Sequence, residues 1–437
     1  MKISITTLGC KVNQAESAYI EGALREKGHE IVASADNPDA CIINTCTVTA
    51  KSDYQSRQMI RRAVKSGARV IATGCYAQLR PEELLKIQGI DFIVGNSQKD
   101  KLHEYLYKLS PENIKTKNQK PDKKHSVVVR SPETPMMLGP YFSNRARAFL
   151  KIQDGCNFSC SYCTVPMARG KSRSLNPEEV LKAAEKFNAD GYKEIVLTGI
   201  HIGSYGLDLD PESSLLEIVG KTANAYPLLR IRLSSIEPRE FKKDFLSLIK
   251  QEHICPHLHI PLQSGSDKIL KAMNRGYSRK FFRGLVNDIV SELPDISIGT
   301  DIIVGFPGES EKDFNETTRL LEELPLSYVH VFPYSKRSGT RAAALPGQVN
   351  KEVKKGRVND LLTIGKKKKN DYVIKQLGKR LNVIVEGKGT TEGFYRVISD
   401  NYIRPLVRAD NLVSGQRLMI EAVSYINGEL ISTPVKA

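Results

Sequence analysis

Short apolar runs alternate with amphipathic stretches along the first hundred residues. Residues 2–7 are rich in β-branched types, and the segment Val12–Leu24 places apolar side chains at helical spacing. The same order recurs, with apolar runs at 40–44 and 69–73 that are each followed by a helical pattern. Strands buried in a parallel sheet have this nearly continuous apolar character. The pattern predicts an open, doubly wound α/β domain over residues 1–110.

The periodicity disappears over residues 111–143, which are rich in Lys, Asn, Pro and Ser and are predicted to form a linker. Beyond it, strand-like segments again alternate with helical patterns through residues 144–375. These segments are 148–153, 194–198, 230–234, 257–261, 296–304 and 328–332. Six βα units are too few for an eight-stranded barrel, so we predict a partial barrel with functional residues at the carboxyl ends of its strands.

Residues 376–437 change to short strand patterns separated by turns that contain Gly and Asn. The predicted strands are 381–386, 394–398, 403–407, 416–423 and 429–432. This spacing predicts a small all-β barrel at the end of the α/β portion. Its aromatic residues Phe394, Tyr395 and Tyr402 either stack on nucleic-acid bases or belong to the core of the barrel.

The 437 residues include eight cysteines. The N-terminus has no apolar leader, and no run approaches the roughly 18 apolar residues of a membrane span. We therefore expect a cytoplasmic protein that does not enter a membrane. Thiols stay reduced in that compartment, so the cysteines indicate metal binding or catalysis rather than disulfides.

Positive charge is concentrated near the C-terminal end of the predicted barrel. The formal net charge is +16, and residues 351–380 alone contain eleven Lys or Arg against three acidic residues. Such an excess favours a polyanionic partner such as nucleic acid, although a solvated helix face has the same composition. The densest run is Lys366, Lys367, Lys368 and Lys369.

Three cysteines, Cys156, Cys160 and Cys163, lie within eight positions at the spacing C-x3-C-x2-C. Thiolates are soft ligands that select zinc, copper(I) or iron–sulfur clusters, and no fourth Cys or His follows in the loop. A four-iron cluster held by three cysteines has one iron without a protein ligand. A zinc knuckle or a disulfide knot would instead require a fourth ligand or an oxidising compartment.

Three further cysteines follow predicted parallel strands. Cys10, Cys46 and Cys75 each lie one or two residues beyond a strand in the N-terminal domain. The carboxyl ends of such strands share one edge of the sheet, so we predict a second three-thiolate site there. Cys41 lies inside an apolar strand and is predicted to be a core residue, and Cys255 is likewise not expected to be a ligand.

Glycines and hydroxyls follow several strands of the predicted barrel. Gly199 follows the second strand, and Ser234 and Glu237 lie at the end of the third. Residues of these types allow a cofactor to approach the backbone, although a tight loop alone would use them too.

Two other polar features lie in the same barrel. His257 and His259 share one face of a strand and could bind metal, but no third ligand is apparent nearby, so we predict a structural role. Arg275 either places a cation near the substrate or belongs to the end of a helix.

The C-x3-C-x-aromatic-C pattern, with Tyr162 before the last cysteine, is similar to the signature of radical S-adenosylmethionine (SAM) enzymes. In that family the amine and carboxylate of SAM chelate the open iron, and one electron cleaves SAM to a 5′-deoxyadenosyl radical. The resemblance implies that Tyr162, Gly199, Ser234 and Glu237 contact the cofactor.

Over nearly its full length the chain resembles the radical SAM methylthiotransferases, which join a three-cysteine domain, a radical SAM core and an RNA-binding TRAM barrel. The segments Thr7–Asn13, Asn44–Lys51 and Thr73–Gln78 resemble one branch of that family. That branch adds a methylthio group to carbon 2 of N6-threonylcarbamoyladenosine beside the tRNA anticodon. Sister branches act on isopentenyladenosine in tRNA or on an aspartate of a ribosomal protein.

The resemblance implies two 4Fe–4S clusters, one on Cys156, Cys160 and Cys163 and one on the strand-end cysteines that carries or donates sulfur. It also implies SAM, an external one-electron donor and the anticodon stem-loop of tRNA as partners of a monomer. Lys366 to Lys369 and Arg275 are then the expected RNA contacts. The alternative class is a non-enzymatic, metal-stabilised RNA-binding protein, which leaves the six βα units unexplained.

Overall fold

A computed structural model describes residues 1–109, 126–128, 131–137, 139, 141 and 145–435, so most of the predicted linker lies outside the described residues. The chain divides into two compact units. The N-terminal unit comprises Met1–Asn144, Lys151–Phe158 and Cys163–Leu175, and the C-terminal unit comprises Arg145–Leu150, Ser159–Tyr162 and Asn176–Ala437. In the described ranges, no helix combines the length and apolar character needed to cross a membrane.

The N-terminal unit is built on a six-stranded parallel sheet with the order β2-β1-β3-β4-β5-β6. Its strands are β1 (Lys2–Thr7), β2 (Glu30–Ile31), β3 (Ala40–Thr45), β4 (Arg69–Gly74), β5 (Phe92–Val94) and β6 (Ser126–Val128). The chain crosses from β2 back over β1 to reach β3, so the strand order reverses between β1 and β3. Such a switch point opens a crevice at the carboxyl ends of the two strands.

Helices cover both faces of this sheet. They are α1 (Lys11–Glu26), α2 (Ala50–Lys65), α3 (Cys75–Leu79), α4 (Pro81–Leu84) and α5 (Leu102–Lys108), with a 3-10 helix at Asn96–Lys101. Alternate strand residues enter opposite cores, because Ile42 packs with α1 and α5 while Ile43 packs with α2. The three strands that the sequence does not predict, β2, β5 and β6, have only two or three residues each.

The central cysteines follow β7 (Ala148–Lys151). In the N-terminal unit, β8 (Gln153–Asp154) pairs antiparallel with β9 (Arg173–Ser174), and the helix Val165–Arg169 lies between them in sequence. This pairing brings the two ends of the cysteine segment together.

The C-terminal unit contains two three-stranded sheets of order β11-β10-β7 and β12-β13-β14. The remaining strands are β10 (Glu194–Thr198), β11 (Arg230–Leu233), β12 (His257–His259), β13 (Ser297–Val304) and β14 (Tyr328–Pro333). Isolated parallel bridges, Ile231 to Ile254 and Ser235 to His259, join the two sheets into a six-stranded partial barrel. The predicted fold class is therefore confirmed for this part of the chain.

Helices alternate with these strands as expected of βα units. They are Pro177–Ala189, Leu215–Ala225, Asp244–Ile249, Asp267–Ala272, Arg279–Glu292, Glu311–Glu323, Arg341–Ala344 and Lys351–Ile374, with 3-10 helices at Ile202–Ser204 and Pro238–Glu240. Ser310 begins the helix after β13 with a capping box, since its hydroxyl accepts from the Asp313 N–H while the Asp313 carboxylate accepts from the Ser310 N–H.

The C-terminal strands close into a five-stranded barrel with the order β15-β16-β17-β19-β18. They are β15 (Arg380–Lys388), β16 (Phe394–Ser399), β17 (Leu406–Arg408), β18 (Arg417–Ile426) and β19 (Glu429–Pro434). Tyr395 belongs to the core of this barrel, so it does not face a base. Tyr402 stacks on His257 of β12, with ring centroids 4.2 Å apart.

Buried charged side chains connect this small barrel to the partial barrel within the C-terminal unit. Glu194 lies fully buried between Arg230 and Arg232, at 2.6 and 2.8 Å. The two guanidinium groups then donate to backbone carbonyls of the small barrel, Arg230 to Asn382 at 2.7 Å and Arg232 to Ser399 at 2.9 Å. Cys255 lies beside Glu194 and is buried, as a core residue would be.

Candidate active site

The cysteines Cys10, Cys46 and Cys75 come together at the carboxyl edge of the N-terminal sheet. Each follows the end of β1, β3 or β4 within three residues. Burial, together with the nearby sulfurs of Cys75 and Cys10, raises the pKa of the Cys46 thiol to about 11. The predicted convergence of these side chains is therefore present, while their role as ligands stays a prediction.

Two glycines allow these cysteine loops to approach one another. Gly9 has a φ of +100°, and a Cβ at that position would lie 2.8 Å from the Cβ of Cys46. Gly74, with a φ of +98°, would overlap the backbone of Thr45 if it carried a side chain. Three thiols brought together on closely packed backbone fit a cluster held by three thiolates.

The N-terminal unit also contains two of the three central cysteines. The Phe158 N–H donates to the sulfur of Cys156 at 3.4 Å, and the Val165 N–H donates to the sulfur of Cys163 at 3.4 Å. Backbone donors of this kind stabilise thiolates and tune the potential of a bound cluster. The local backbone therefore fits cluster ligation at both cysteines.

The third central cysteine, Cys160, lies in the C-terminal unit beside Arg275. The Arg275 Nη1 donates to the Cys160 sulfur at 3.3 Å, and its Nη2 pairs with Glu237, which follows β11. The Arg275 side chain is only 5% exposed. The sequence grouped Arg275 with the RNA contacts, and in the structure its guanidinium lies between the Cys160 sulfur and the Glu237 carboxylate.

The predicted SAM contacts lie at the carboxyl ends of the barrel strands. Ser234 directly follows β11, and its hydroxyl is buried with no hydrogen-bond partner among the described residues. A buried hydroxyl in this state costs about 1–3 kcal/mol, so a ligand that bonds it is favoured. Gly199 directly follows β10. Tyr162 packs against a group of buried apolar side chains that includes Met273 and Phe306.

Three polar side chains of the partial barrel, His259, Asp301 and His330, lie close together, and the sequence indicated only His259. His259 Nε2 lies 3.0 Å from the Asp301 carboxylate on β13, and His330 Nδ1 on β14 lies 3.2 Å from the same oxygen. Their donor atoms all lie within 4.8 Å of one another. The expectation that His259 has no third potential ligand nearby is therefore wrong. The two partners come from neighbouring strands rather than from nearby sequence.

The basic run lies on the helix Lys351–Ile374 and has two kinds of lysine. Lys368 donates to the carbonyls of Glu322 and Leu324 at 2.6 and 2.7 Å, so it binds the C-terminal end of the helix Glu311–Glu323. Lys366 and Lys369 are exposed and form no hydrogen bond or ion pair with the described residues. Only part of the predicted RNA-binding run is thus available to a partner.

Comparison with known proteins places these features in a family. Residues 150–321 match the Radical SAM superfamily, and residues 2–95 match the uncharacterized protein family UPF0004. The threonylcarbamoyladenosine tRNA methylthiotransferase MtaB of Aquifex aeolicus is 39% identical over 92% of this chain and 96% of that protein. The chain belongs to the radical SAM methylthiotransferase family.

Other members and solved structures agree with this assignment. The tRNA-2-methylthio-N(6)-dimethylallyladenosine synthase of Fusobacterium nucleatum is 35% identical over 88% of both chains. The radical SAM methyltransferase TsrM of Kitasatospora setae has a similar fold, with a TM-score of 0.56 at 14% identity, covering 76% of this chain and 72% of that one. The matched radical SAM family and the curated relatives identify the chain as a radical SAM enzyme, so the non-enzymatic alternative does not hold.

SAM and 4Fe–4S clusters are the cofactors of a methylthiotransferase of this family. The neighbouring sulfurs of Cys10, Cys46 and Cys75, and the backbone donors at Cys156 and Cys163, fit thiolate-held clusters. Sequence reasoning missed the contact of Arg275 with Cys160, because the two residues are 115 positions apart. It also missed Asn13, whose side chain donates to the carbonyls of Leu8 and Thr45 and so fixes two cysteine loops.

Proposed function

We propose that this methylthiotransferase adds a methylthio group to carbon 2 of N6-threonylcarbamoyladenosine beside the anticodon of tRNA. The observation that supports it most is the convergence of Cys10, Cys46 and Cys75 in a chain that also has the central C-x3-C-x2-C loop. Two three-thiol sets provide for two clusters, one for radical generation and one for sulfur.

The target carbon explains the need for such machinery. Carbon 2 of adenine has an unactivated C–H bond without an acidic proton or a leaving group, so acid–base side chains alone do not suffice. SAM bound to a reduced cluster supplies a carbon radical that abstracts hydrogen from such a bond. SAM also serves as the methyl donor to sulfur.

The residues of the chain bind and position these groups. Cys156, Cys160 and Cys163 would hold the first cluster, and the N–H groups of Phe158 and Val165 donate to the sulfurs of Cys156 and Cys163. The Arg275 guanidinium donates to the sulfur of Cys160.

SAM is then bound at the ends of β10 and β11. The buried Ser234 hydroxyl would bond SAM, Gly199 would let it approach the backbone, and Tyr162 would contribute an apolar contact. Glu237 pairs with Arg275 and so fixes the cation beside Cys160, and its carboxylate would contact SAM.

The RNA partner is expected on the basic surface of the C-terminal unit. Lys366 and Lys369 project from the helix Lys351–Ile374, and the small β-barrel follows that helix directly. Lysines bind phosphates irrespective of sequence, so selection of the base rests on the unstacked nucleotide itself. The anticodon stem-loop presents such a nucleotide.

Reduction of the first cluster would require an external one-electron donor.

Mass spectrometry of tRNA nucleosides from cells that lack this protein tests the proposal. We expect the 2-methylthio derivative of N6-threonylcarbamoyladenosine to disappear and its precursor to accumulate, with restoration by the wild-type chain. Loss of the 2-methylthio derivative of isopentenyladenosine instead would assign the chain to the function of its Fusobacterium nucleatum relative. Unchanged tRNA would point to the ribosomal-protein branch.

A further inference from the structure

Five charged side chains form a fully buried network in the N-terminal unit. The Glu16 carboxylate on α1 accepts from Lys99 at 2.5 Å, from Lys151 at 3.0 Å and from Arg169 at 2.8 Å. Lys151 and Arg169 also donate to Asp154, each at 3.0 Å. None of the five side chains is more than 2% exposed.

The charges of this network do not cancel. Three cations, Lys99, Lys151 and Arg169, face two carboxylates, Glu16 and Asp154, which leaves one excess positive charge among fully buried side chains. Burial would raise the pKa of Glu16, but Arg169, Lys99 and Lys151 hold it well below its usual range, so the carboxylate is ionised. A buried excess charge is unfavourable unless an anion lies near it.

Hydrogen bonds lead from this network to the strand-end cysteines. The Arg169 Nη2 donates to the Asn13 side-chain oxygen at 2.6 Å. The Asn13 amide in turn donates to the carbonyls of Leu8 at 2.7 Å and Thr45 at 3.2 Å. Leu8 lies two residues before Cys10 and Thr45 directly precedes Cys46, so Arg169 is one side chain away from both cysteine loops.

The third cysteine loop is joined to the same helix. The Asn96 amide donates to the carbonyl of Ala168 at 2.6 Å, next to Arg169. The Asn96 N–H donates to the side chain of Gln78, three residues after Cys75, at 2.9 Å. Burial would lower the pKa of Arg169, but Asp154, Cys75 and Glu16 together hold it well above its usual value. The Cys75 sulfur is therefore one of the electrostatic partners of Arg169.

We propose that Glu16, Lys99, Lys151, Asp154 and Arg169 set the reduction potential of the cluster bound by Cys10, Cys46 and Cys75. This inference rests on the proposed function, which puts a cluster on those cysteines. A cluster on three thiolates is anionic and becomes more negative on reduction, so a nearby positive charge favours the reduced form. The network residues are positioning residues, since they act on the cluster through charge and through the cysteine loops.

Substitutions of opposite sign distinguish this role from a merely structural one. In Lys99→Met the network loses a cation, and Glu16 keeps Lys151 and Arg169 as partners. In Glu16→Gln it loses an anion with little change of shape. We expect the midpoint potential of the cluster to fall in Lys99→Met and to rise in Glu16→Gln. Lys99→Arg keeps the charge, so its midpoint potential should match that of the protein with an unchanged network.

The experiment uses the full chain with Cys156, Cys160 and Cys163 replaced by Ala, so that only the strand-end cysteines can hold a cluster. The protein is loaded anaerobically with iron and sulfide, and its potential is followed by redox titration with electron paramagnetic resonance. Lys151→Met provides a second loss of a cation and should shift the potential in the same direction as Lys99→Met.

The outcomes separate this inference from the function on which it rests. A cluster whose potential stays constant, or moves in the same direction in Lys99→Met and Glu16→Gln, would overturn the inference while leaving the proposed function intact. Loss of the cluster in both lysine variants with no shift in Glu16→Gln would reduce the network to a structural element. Absence of iron from the starting three-cysteine protein would overturn both proposals.

Discussion

The Arg275 Nη1 donates to the sulfur of Cys160 at 3.3 Å, and its Nη2 pairs with the Glu237 carboxylate. A cation bonded to a ligand sulfur stabilises the thiolate and the reduced cluster. We expect Arg275→Met to slow reductive cleavage of SAM about tenfold or more, because a hydrogen bond to a charged group contributes about 1.5–3 kcal/mol. The measurement is 5′-deoxyadenosine formed anaerobically with excess reductant.

A matched arginine on the outside of the barrel controls for loss of charge. Arg283 on the helix Arg279–Glu292 pairs with Glu323 at 2.7 Å and is 38% exposed. Arg283→Met should leave SAM cleavage unchanged. Equal losses in the two variants would show that the contact with Cys160 has no special effect.

Replacing Cys10, Cys46 and Cys75 with Ala should separate the two halves of the reaction. The central loop keeps its own backbone donors, so SAM cleavage should persist while methylthio transfer to tRNA is lost. Iron should fall from about eight to about four atoms per chain. Anaerobic iron and sulfide analysis, together with 5′-deoxyadenosine formation, checks both expectations.

The remaining two cysteines supply the control for this prediction. Cys41 and Cys255 are buried among core residues, so replacing both with Ala should leave the iron content unchanged. Loss of SAM cleavage in the triple variant would contradict the division of labour between the two cysteine sets.

Local sequence was enough to place the strand-end cysteines. Apolar runs identify β1, β3 and β4, and parallel strands necessarily share one carboxyl edge, so Cys10, Cys46 and Cys75 had to lie close together. The short strands β2, β5 and β6 have too few residues for a periodic pattern, and they form only because a neighbouring strand offers backbone partners.

Contacts between distant segments could not be predicted in this way. Asp301 and His330 reach His259 through the pairing of β12, β13 and β14, which depends on register rather than on any local motif. Lys368 is different, because it lies three residues after the buried Gly365 and so continues the inward face of its helix. Helical spacing alone could therefore have separated Lys368 from its exposed neighbours.

Replacing Lys366 and Lys369 with Ala should weaken tRNA binding through loss of phosphate contacts. Each contact releases close to one counterion, so the slope of log affinity against log salt should become shallower by roughly 1.5 for the two lysines together. Binding isotherms at several salt concentrations measure this slope. SAM cleavage without tRNA should not change.

Lys368→Ala is the internal control for the same run. It removes the donor to the carbonyls of Glu322 and Leu324, so we expect a loss of stability of about 1 kcal/mol with an unchanged salt slope. If loss of Lys366 and Lys369 left the salt slope unchanged, these lysines would belong to a solvated helix face and would not contact the RNA.

Glu194→Gln should destabilise the C-terminal unit and change its response to acid. Burial would raise the pKa of Glu194, but Arg232 and Arg230 hold it well below its usual range. The ionised carboxylate therefore stabilises the fold above the unfolded pKa of about 4.3, and this contribution is lost as pH falls towards the folded pKa. Removing one member of a buried ion network costs about 3–5 kcal/mol, so the loss should be largest near pH 7 and smaller in acid.

Urea unfolding of the cluster-free wild type and variant at pH 7 and near pH 3.5 measures this difference. Glu217→Gln is the control, since Glu217 is an exposed carboxylate paired with Lys221 on a helix surface, and its loss should barely move either midpoint. If Glu194→Gln lowered the midpoint equally at both pH values, the carboxylate would contribute by packing alone. The attachment of the small barrel through Arg230 and Arg232 would then not depend on the charge between them.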